Sequence, residues 1–251
     1  MIKLLSLYLF LAIVLSTPLS YAGSAITTGA KVLYESDFAE LRGKRVGLIS
    51  NQTAMVDGTH LIDLMHARGV KLVALFAPEH GLRGLHEDGA SIGDRIDQQT
   101  GVRVYSLYGN VKKPTPEMLR GLDILLFDIQ GIGARFYTYI STMGLAMQAA
   151  SEAHLPFVVL DRPNPLGGEH FAGPILEGEC CSFVGEYPIP VAHGLTIGEL
   201  ALMIKGEQML PGLAGLELRV VRMKGWQSGR RRVLPAVLPH HRAYGSVHGG
   251  S

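Results

Sequence analysis

The chain has 251 residues, 47% hydrophobic and 18% charged, a balance that excludes a disordered or fibrous protein. Its 23 Lys and Arg nearly cancel its 22 Asp and Glu, for a formal net charge of +1. No global field therefore draws in nucleic acid, and no nucleic-acid-binding module is expected. The length suits one or two domains with a sizeable core.

Residues 1–22 read as a targeting segment. Lys3 supplies a positive start, residues 4–16 an apolar run, and Ser20-Tyr21-Ala22 the small residues of a cleavage site after Ala22. This is the pattern of a signal peptide. The run is short for a bilayer span, and no Cys at the cleavage site offers a lipid anchor. The expectation is an exported protein, periplasmic or extracellular, with no stable membrane anchor after cleavage. The two cysteines, Cys180 and Cys181, are adjacent, so no disulfide framework is expected. They read as two small half-buried side chains.

Beyond the leader, short apolar runs alternate with helical patterns. Residues 45–50 (RVGLIS) predict a buried strand that ends in Asn51-Gln52-Thr53. Residues 57–68 predict a helix, with Leu61, Leu64 and Met65 on one face and Gly69 as its stop. Residues 71–76 (KLVALF) and 103–106 (RVYS) predict the next two strands. Thr115-Pro116 opens a short helix that Gly121 closes. Residues 123–128 (DILLFD) predict a fourth strand, 138–153 a helix, and 156–160 (PFVVL) a fifth strand. Thr196 and Glu199 form a capping box that opens a last helix. Continuous apolar strands separated by helices predict an α/β fold, a Rossmann-like open parallel sheet with helices on both faces. Its expected extent is residues 23–165. Residues 166–226 are expected to be a peripheral extension and the start of a smaller C-terminal domain. Residues 227–251 hold no Asp or Glu but carry Arg230, Arg231, Arg232 and Arg242, and read as an atypical basic tail, possibly out of frame or ended early.

Ligands of open parallel sheets bind outside the carboxyl ends of the strands, and here those ends are polar. Glu79, after Pro78 at the end of a buried strand, is the first candidate for general acid/base work, because partial burial would raise its pKa toward neutrality. An ordinary loop glutamate is the competing reading. Asp128 ends the most apolar strand and is either a second catalytic carboxylate or a structural acceptor. Arg135 and Arg162 could each grip a substrate carboxylate, or pair with Asp128 or Asp161. Tyr137 and Tyr139 could stack on a sugar or pack in the core. His193 stands before the capping box, as a structural histidine or near an anion at the helix end. Asn51, His80, Gln130 and Asn164 complete the polar clusters. Gly131-Ile132-Gly133 falls short of a dinucleotide fingerprint, so no nucleotide cofactor is expected. No HExxH spacing appears, and no metal is expected. No GxSxG elbow appears either.

Read in order, VGLISNQT (46–53), LFAPEHGLRG (75–84), VYSLYG (104–109), LDILLFDIQGIGARFYTYISTM (122–143), VVLDRPNPLGG (158–168), GPILE (173–177) and PIPVAHGLTIGELA (188–201) resemble the exo-β-N-acetylmuramidase family of the NamZ/YbbC type. The resemblance implies a Rossmann-like domain followed by a smaller domain, with the site in the cleft between them. It implies release of N-acetylmuramic acid from the non-reducing end of peptidoglycan fragments, with muropeptides or disaccharides as partners. It implies Glu79 of the PEHG motif as the catalytic residue. Asn51, His80, Asp128, Gln130, Arg135, Tyr137, Asp161, Arg162 and Asn164 become candidates to line the sugar site, and the lactyl carboxylate of muramic acid gives a reason for an arginine there. Beyond Trp226 the chain departs from the family pattern. Two other readings stand beside this one: a non-catalytic muropeptide-binding protein, and an esterase or amidase, which the lack of a nucleophile elbow disfavours.

Overall fold

A computed structural model describes residues 25–84 and 95–227. The expected leader and the tail beyond residue 227 lie outside the described residues. The described chain opens with α1 (Gly29–Glu35), capped by the Thr28 side chain, and continues into β1 (Val46–Ser50). A small hairpin follows, β2 (Met55–Val56) and β3 (Thr59–His60), and leads directly into α2 (Leu61–Ala67). Then come β4 (Leu72–Ala77), β5 (Arg95–Ile96), β6 (Arg103–Ser106), α3 (Pro116–Leu119) and β7 (Ile124–Asp128). The chain ends with α4 (Tyr139–Glu152), β8 (Phe157–Leu160), α5 (Ile197–Gly206) and β9 (Leu218–Val221).

Seven strands form one sheet in the order β5-β6-β4-β1-β7-β8-β9. Every pair is parallel except β5 with β6. Numbered along the chain, the six parallel strands stand 3-2-1-4-5-6, the doubly wound order of dinucleotide-binding sheets. The chain travels outward from β1 through β4 to β6, then crosses back to β7 on the other side of β1. The carboxyl ends of β1 and β7 therefore flank the point where strand order reverses.

The strand run ILLFD explains the layers. Successive side chains of a strand point to opposite faces. Ile124 and Leu126 join Ala30, Leu33, Leu61, Ile62 and Met65 in a core under α1 and α2. Leu125 and Phe127 join Met143, Met147, Leu200 and Ile204 in a second core under α4 and α5. Both faces are covered, so β7 is buried at all five positions.

Three expectations need correction. Residues 57–68 are not one helix. Asp57 and Gly58 both take positive φ, 47° and 83°, which makes the tight turn that Asp-Gly favours between strands, and the helix starts at Leu61. Residues 166–224 are not wholly peripheral: α5 and β9 belong to the main sheet, with β9 paired in parallel to β8. Its residues are all half-buried, so it lacks the continuous apolar run that marked the other strands. Cys180 and Cys181 are both exposed, not half-buried. The helices expected at Thr115, Thr138 and Thr196 are present, and the Thr196–Glu199 capping box is complete. Among the described residues no helix is long and apolar enough to cross a membrane.

Asp161 joins β8 to α5. Its Oδ1 accepts from the amides of Arg162 at 3.0 Å and Gly198 at 2.8 Å, and its Oδ2 from the Thr196 hydroxyl at 3.2 Å. Asp161→Ala would orphan these buried donors. The expected loss is about 3 kcal/mol of unfolding free energy, measurable by urea titration; a loss under about 0.5 kcal/mol would remove Asp161 from this role.

His60 caps α2 as a neutral ring. Its Nδ1 accepts the Ile62 amide at 3.3 Å, so Nε2 carries the proton and donates to the Asn51 carbonyl at 3.0 Å. Burial pushes its pKa below the ordinary 6.5. The unfolded chain thus binds a proton first as pH falls, and stability drops from about 6.5 down to the lowered folded value. Asparagine keeps a cap without titrating. The unfolding free energy from pH 7.5 to 5 should fall less steeply in His60→Asn, by up to roughly 1.4 kcal/mol per pH unit; parallel slopes would count against the assignment.

Candidate functional site

At the end of β1 the chain turns sharply. Asn51 is fully buried, and its Oδ1 accepts from the Thr53 amide at 3.0 Å and the Thr53 hydroxyl at 2.6 Å. The Thr53 hydroxyl oxygen accepts in turn from the Gln130 amide at 2.9 Å, which ties the end of β1 to the loop after β7. Oδ1 is thereby committed, and Asn51 Nδ2 is left buried without a hydrogen-bond partner among the described residues. A buried, unpaired donor costs about 1–3 kcal/mol, and the acceptor that neighbours this one is the Tyr139 phenol oxygen.

The end of β4 carries the 78–84 turn. Glu79 is half-buried, and its backbone carbonyl accepts from the Tyr139 hydroxyl at 3.2 Å. His80 takes φ 69°, in the left-handed region. Tyr139 packs edge-on against Tyr137, with ring centroids 4.7 Å apart. Burial holds the Tyr139 phenol well above its ordinary pKa; Tyr137 and the Glu79 charge add to this, and the neighbouring Asn51 amide opposes it. The Tyr137 phenol is raised as well, mainly by burial and further by the Glu79 charge. Glu79, Asn51, Tyr137 and Tyr139 thus form one wall, with both phenols kept protonated near neutral pH.

The ends of β7 and β8 form the other wall. Arg162 Nε and Nη2 grip Asp128 Oδ1 and Oδ2 at 2.6 and 2.8 Å. Asp128 is fully buried and Arg162 is 5% exposed. Both Asp128 oxygens are thereby engaged by Arg162, one of the pairings that the sequence allowed. Arg162 still lines a depression with Tyr137, Asn164, His193 and the 131–133 loop; its Nη1 is the guanidinium nitrogen not committed to Asp128. Asn164 Nδ2 donates to the Leu195 carbonyl at 3.0 Å, and its Oδ1 accepts the Leu166 amide at 2.9 Å. His193 Nδ1 accepts the Leu195 amide at 3.2 Å, and burial lowers its pKa. The ring is therefore neutral near pH 7, with Nε2–H as its remaining donor.

Three expected site residues turn inward or away. Gln130 Nε2 donates to the carbonyls of Gly131 and Pro163 at 2.7 and 2.8 Å, which fixes the two loops to each other. Asp161 caps α5; burial raises its carboxyl pKa, and the Gly198 amide and Thr196 hydroxyl pull against that. Arg135 pairs with neither Asp128 nor Asp161. Its Nη1 donates to the carbonyls of Pro174 and Ile189 and pins the 172–192 excursion beside the cleft. Among the described residues no cluster of His, Cys, Asp and Glu is arranged to hold a metal ion.

Three contributors stand outside the expected site residues. Gln52 packs under Gly84, where a β-carbon would stand 3.0 Å from its own. Gly133 combines φ +80° with an Asn164 Oδ1 only 2.2 Å from where its β-carbon would be, so only glycine fits the bend between the two loops. Arg83 links the Glu79 turn to Asp63 and Asp97. The 'LRG' after the PEHG motif was visible, but its two carboxylate partners are distant in the chain and carried no local signal.

Comparison with known proteins places this arrangement. Residues 46–237 match the family model described as exo-beta-N-acetylmuramidase NamZ, N-terminal. The chain is 51% identical over 224 residues to the peptidoglycan beta-N-acetylmuramidase NamZ of Bacillus subtilis, spanning 85% of this chain and 52% of the relative. Two crystal structures of DUF1343 family proteins from Bacteroides fragilis share the fold. One is 51% identical with a TM-score of 0.76, covering 82% of this chain and 52% of its own; the other is 40% identical with a TM-score of 0.72, covering 81% and 53%. The chain therefore spans about half the length of these relatives. The match to the family model covers most of the chain, and the chain belongs to the NamZ exo-β-N-acetylmuramidase family through its N-terminal domain.

Proposed function

We propose that this chain supplies the acid/base wall of a glycosidase that releases N-acetylmuramic acid from the non-reducing end of peptidoglycan fragments. The observation that carries the reading is the Glu79 turn: a half-buried glutamate beside the phenols of Tyr137 and Tyr139, at the carboxyl end of β4, the strand next to the point where strand order reverses. In this reading Glu79 donates its proton to the glycosidic oxygen as the bond from that oxygen to the anomeric carbon breaks. The positive charge that develops on the sugar ring lies against the Glu79 carboxylate as it forms. Tyr137 offers a face for the sugar ring. With Asp128 held by Arg162, the attacking group is water or the sugar's own acetamido oxygen, and the proton that water gives up returns to the Glu79 carboxylate and restores the acid. Arg162 Nη1 and the His193 Nε2–H suit the carboxylate that distinguishes muramic acid. The expected leader supports export to the periplasm or beyond, where peptidoglycan fragments are found.

A chromogenic β-N-acetylmuraminide tests the reading. The chain should release the chromophore, and Glu79→Gln should lower kcat about 10³-fold with binding retained. Binding without turnover in both proteins would establish the muropeptide-binding alternative instead. Turnover unaffected by the substitution would remove Glu79 from the chemistry.

A further inference from the structure

The turn that carries Glu79 runs against backbone preference. His80 at φ 69° is followed by Gly81 at φ 73°, and a residue with a β-carbon stays in the left-handed region only where its surroundings over-determine it. Two hydrogen bonds act on the turn itself. The Gly81 amide donates to the Pro78 carbonyl at 3.1 Å, and Tyr139 reaches the Glu79 carbonyl.

Arg83 fixes the turn to two other elements. Its Nη1 and Nη2 donate to both oxygens of Asp63 on α2, at 3.0 and 2.7 Å. Its Nε and Nη2 donate to both oxygens of Asp97, just beyond β5, at 2.8 and 3.1 Å. The Asp97 side chain is 6% exposed, and it also accepts from the Thr100 amide and hydroxyl at 3.1 and 2.8 Å. Burial works against the Asp97 charge, yet Arg83 and Thr100 hold its pKa below the usual carboxylate range. Asp63 first, and Asp97 next, hold the Arg83 guanidinium far above its ordinary pKa. A planar fork held by two carboxylates is fixed in orientation as well as position, which a lone ammonium cannot match.

We infer that Arg83 is the positioning residue for Glu79: by bridging α2 and the segment after β5, it holds the strained turn in the conformation that presents the Glu79 carboxyl beside Tyr137 and Tyr139. The inference rests on the reading of Glu79 as the proton donor. Arg83 touches none of the reacting atoms, so its loss acts on turnover rather than on sugar binding. A displacement of about 1 Å is enough to lower a rate about 10²-fold.

Arg83→Met, Arg83→Lys and Asp97→Asn test it by two readouts. On the chromogenic muraminide, Arg83→Met should lower kcat about 10²-fold with KM within about threefold, and lysine should recover only part. By amide exchange, the Gly81 amide should exchange about tenfold faster or more, while Leu75 and Phe76 of β4 keep their protection. Wild-type values in both readouts overturn the inference. So does faster exchange through β4 as well as the turn, because Arg83 then supports the whole sheet and not this turn. If Arg83→Met fails to fold, Arg83→Lys and Asp97→Asn carry the same comparison. If the unsubstituted chain hydrolyses nothing, the glycosidase reading fails, and the exchange readout separately decides whether Arg83 holds the turn.

Discussion

The ion pair between Asp128 and Arg162 is the constraint around which the sheet edge is built. Burying two charges costs several kcal/mol per ion, and attraction offsets this only with good geometry. Here the geometry is bidentate, with both contacts under 3 Å. Such a pair adds little net stability over a well-packed apolar substitute. Its effect is positional. Asp128 is the last residue of β7, and Arg162 lies just past β8, so the pair joins two strand ends that would otherwise lead into independent loops. Gln130 then links those loops through two carbonyls, and Asn164 closes them against Gly133 and Leu195. Each of these bonds depends on the strand ends already being side by side.

The opposite wall is organised differently. The Glu79 turn leaves β4 in strained geometry and is held from outside, by Tyr139 above it and by Arg83 reaching to two other elements. One wall is held by bonds between its own loops, the other by bonds from neighbouring elements. Tyr137 is common to both, packed on Tyr139 on one side and lining the depression near Arg162 on the other. Among the described residues, Arg162 Nη1 and His193 Nε2 on the second wall are donors that the internal network leaves over. The same low-dielectric setting that makes an unpaired donor costly makes it strong toward a bound acceptor.

Much of the fold was legible in the chain. Apolar runs of four to six residues announced β1, β4, β7 and β8 because helices cover both of their faces, and no alternation is needed. Thr115-Pro116 and the Thr196–Glu199 box announced helix starts because capping is a local transaction between residues three apart. The elements that escaped had no such local signature. β9 is half-buried and contains Arg219, β5 is two residues long, and the β2–β3 hairpin was overridden by helical periodicity although its Asp57-Gly58 turn was in plain view.

The site divides along the same line. Which polar residues stand at strand ends is a property of chain order, and Glu79, Asn51, Tyr137, Arg162, Asn164 and His193 could be named from it. Which of them keep an unused donor or a reachable carboxyl is not. Asp128 and Glu79 look alike in sequence, each an acid closing an apolar strand. One is neutralised by an arginine 34 residues away, and the other sits on a turn held by a guanidinium whose partners lie on separate elements. Electrostatic partners are chosen by distance in space, and proximity between remote segments exists only once the sheet has brought them together.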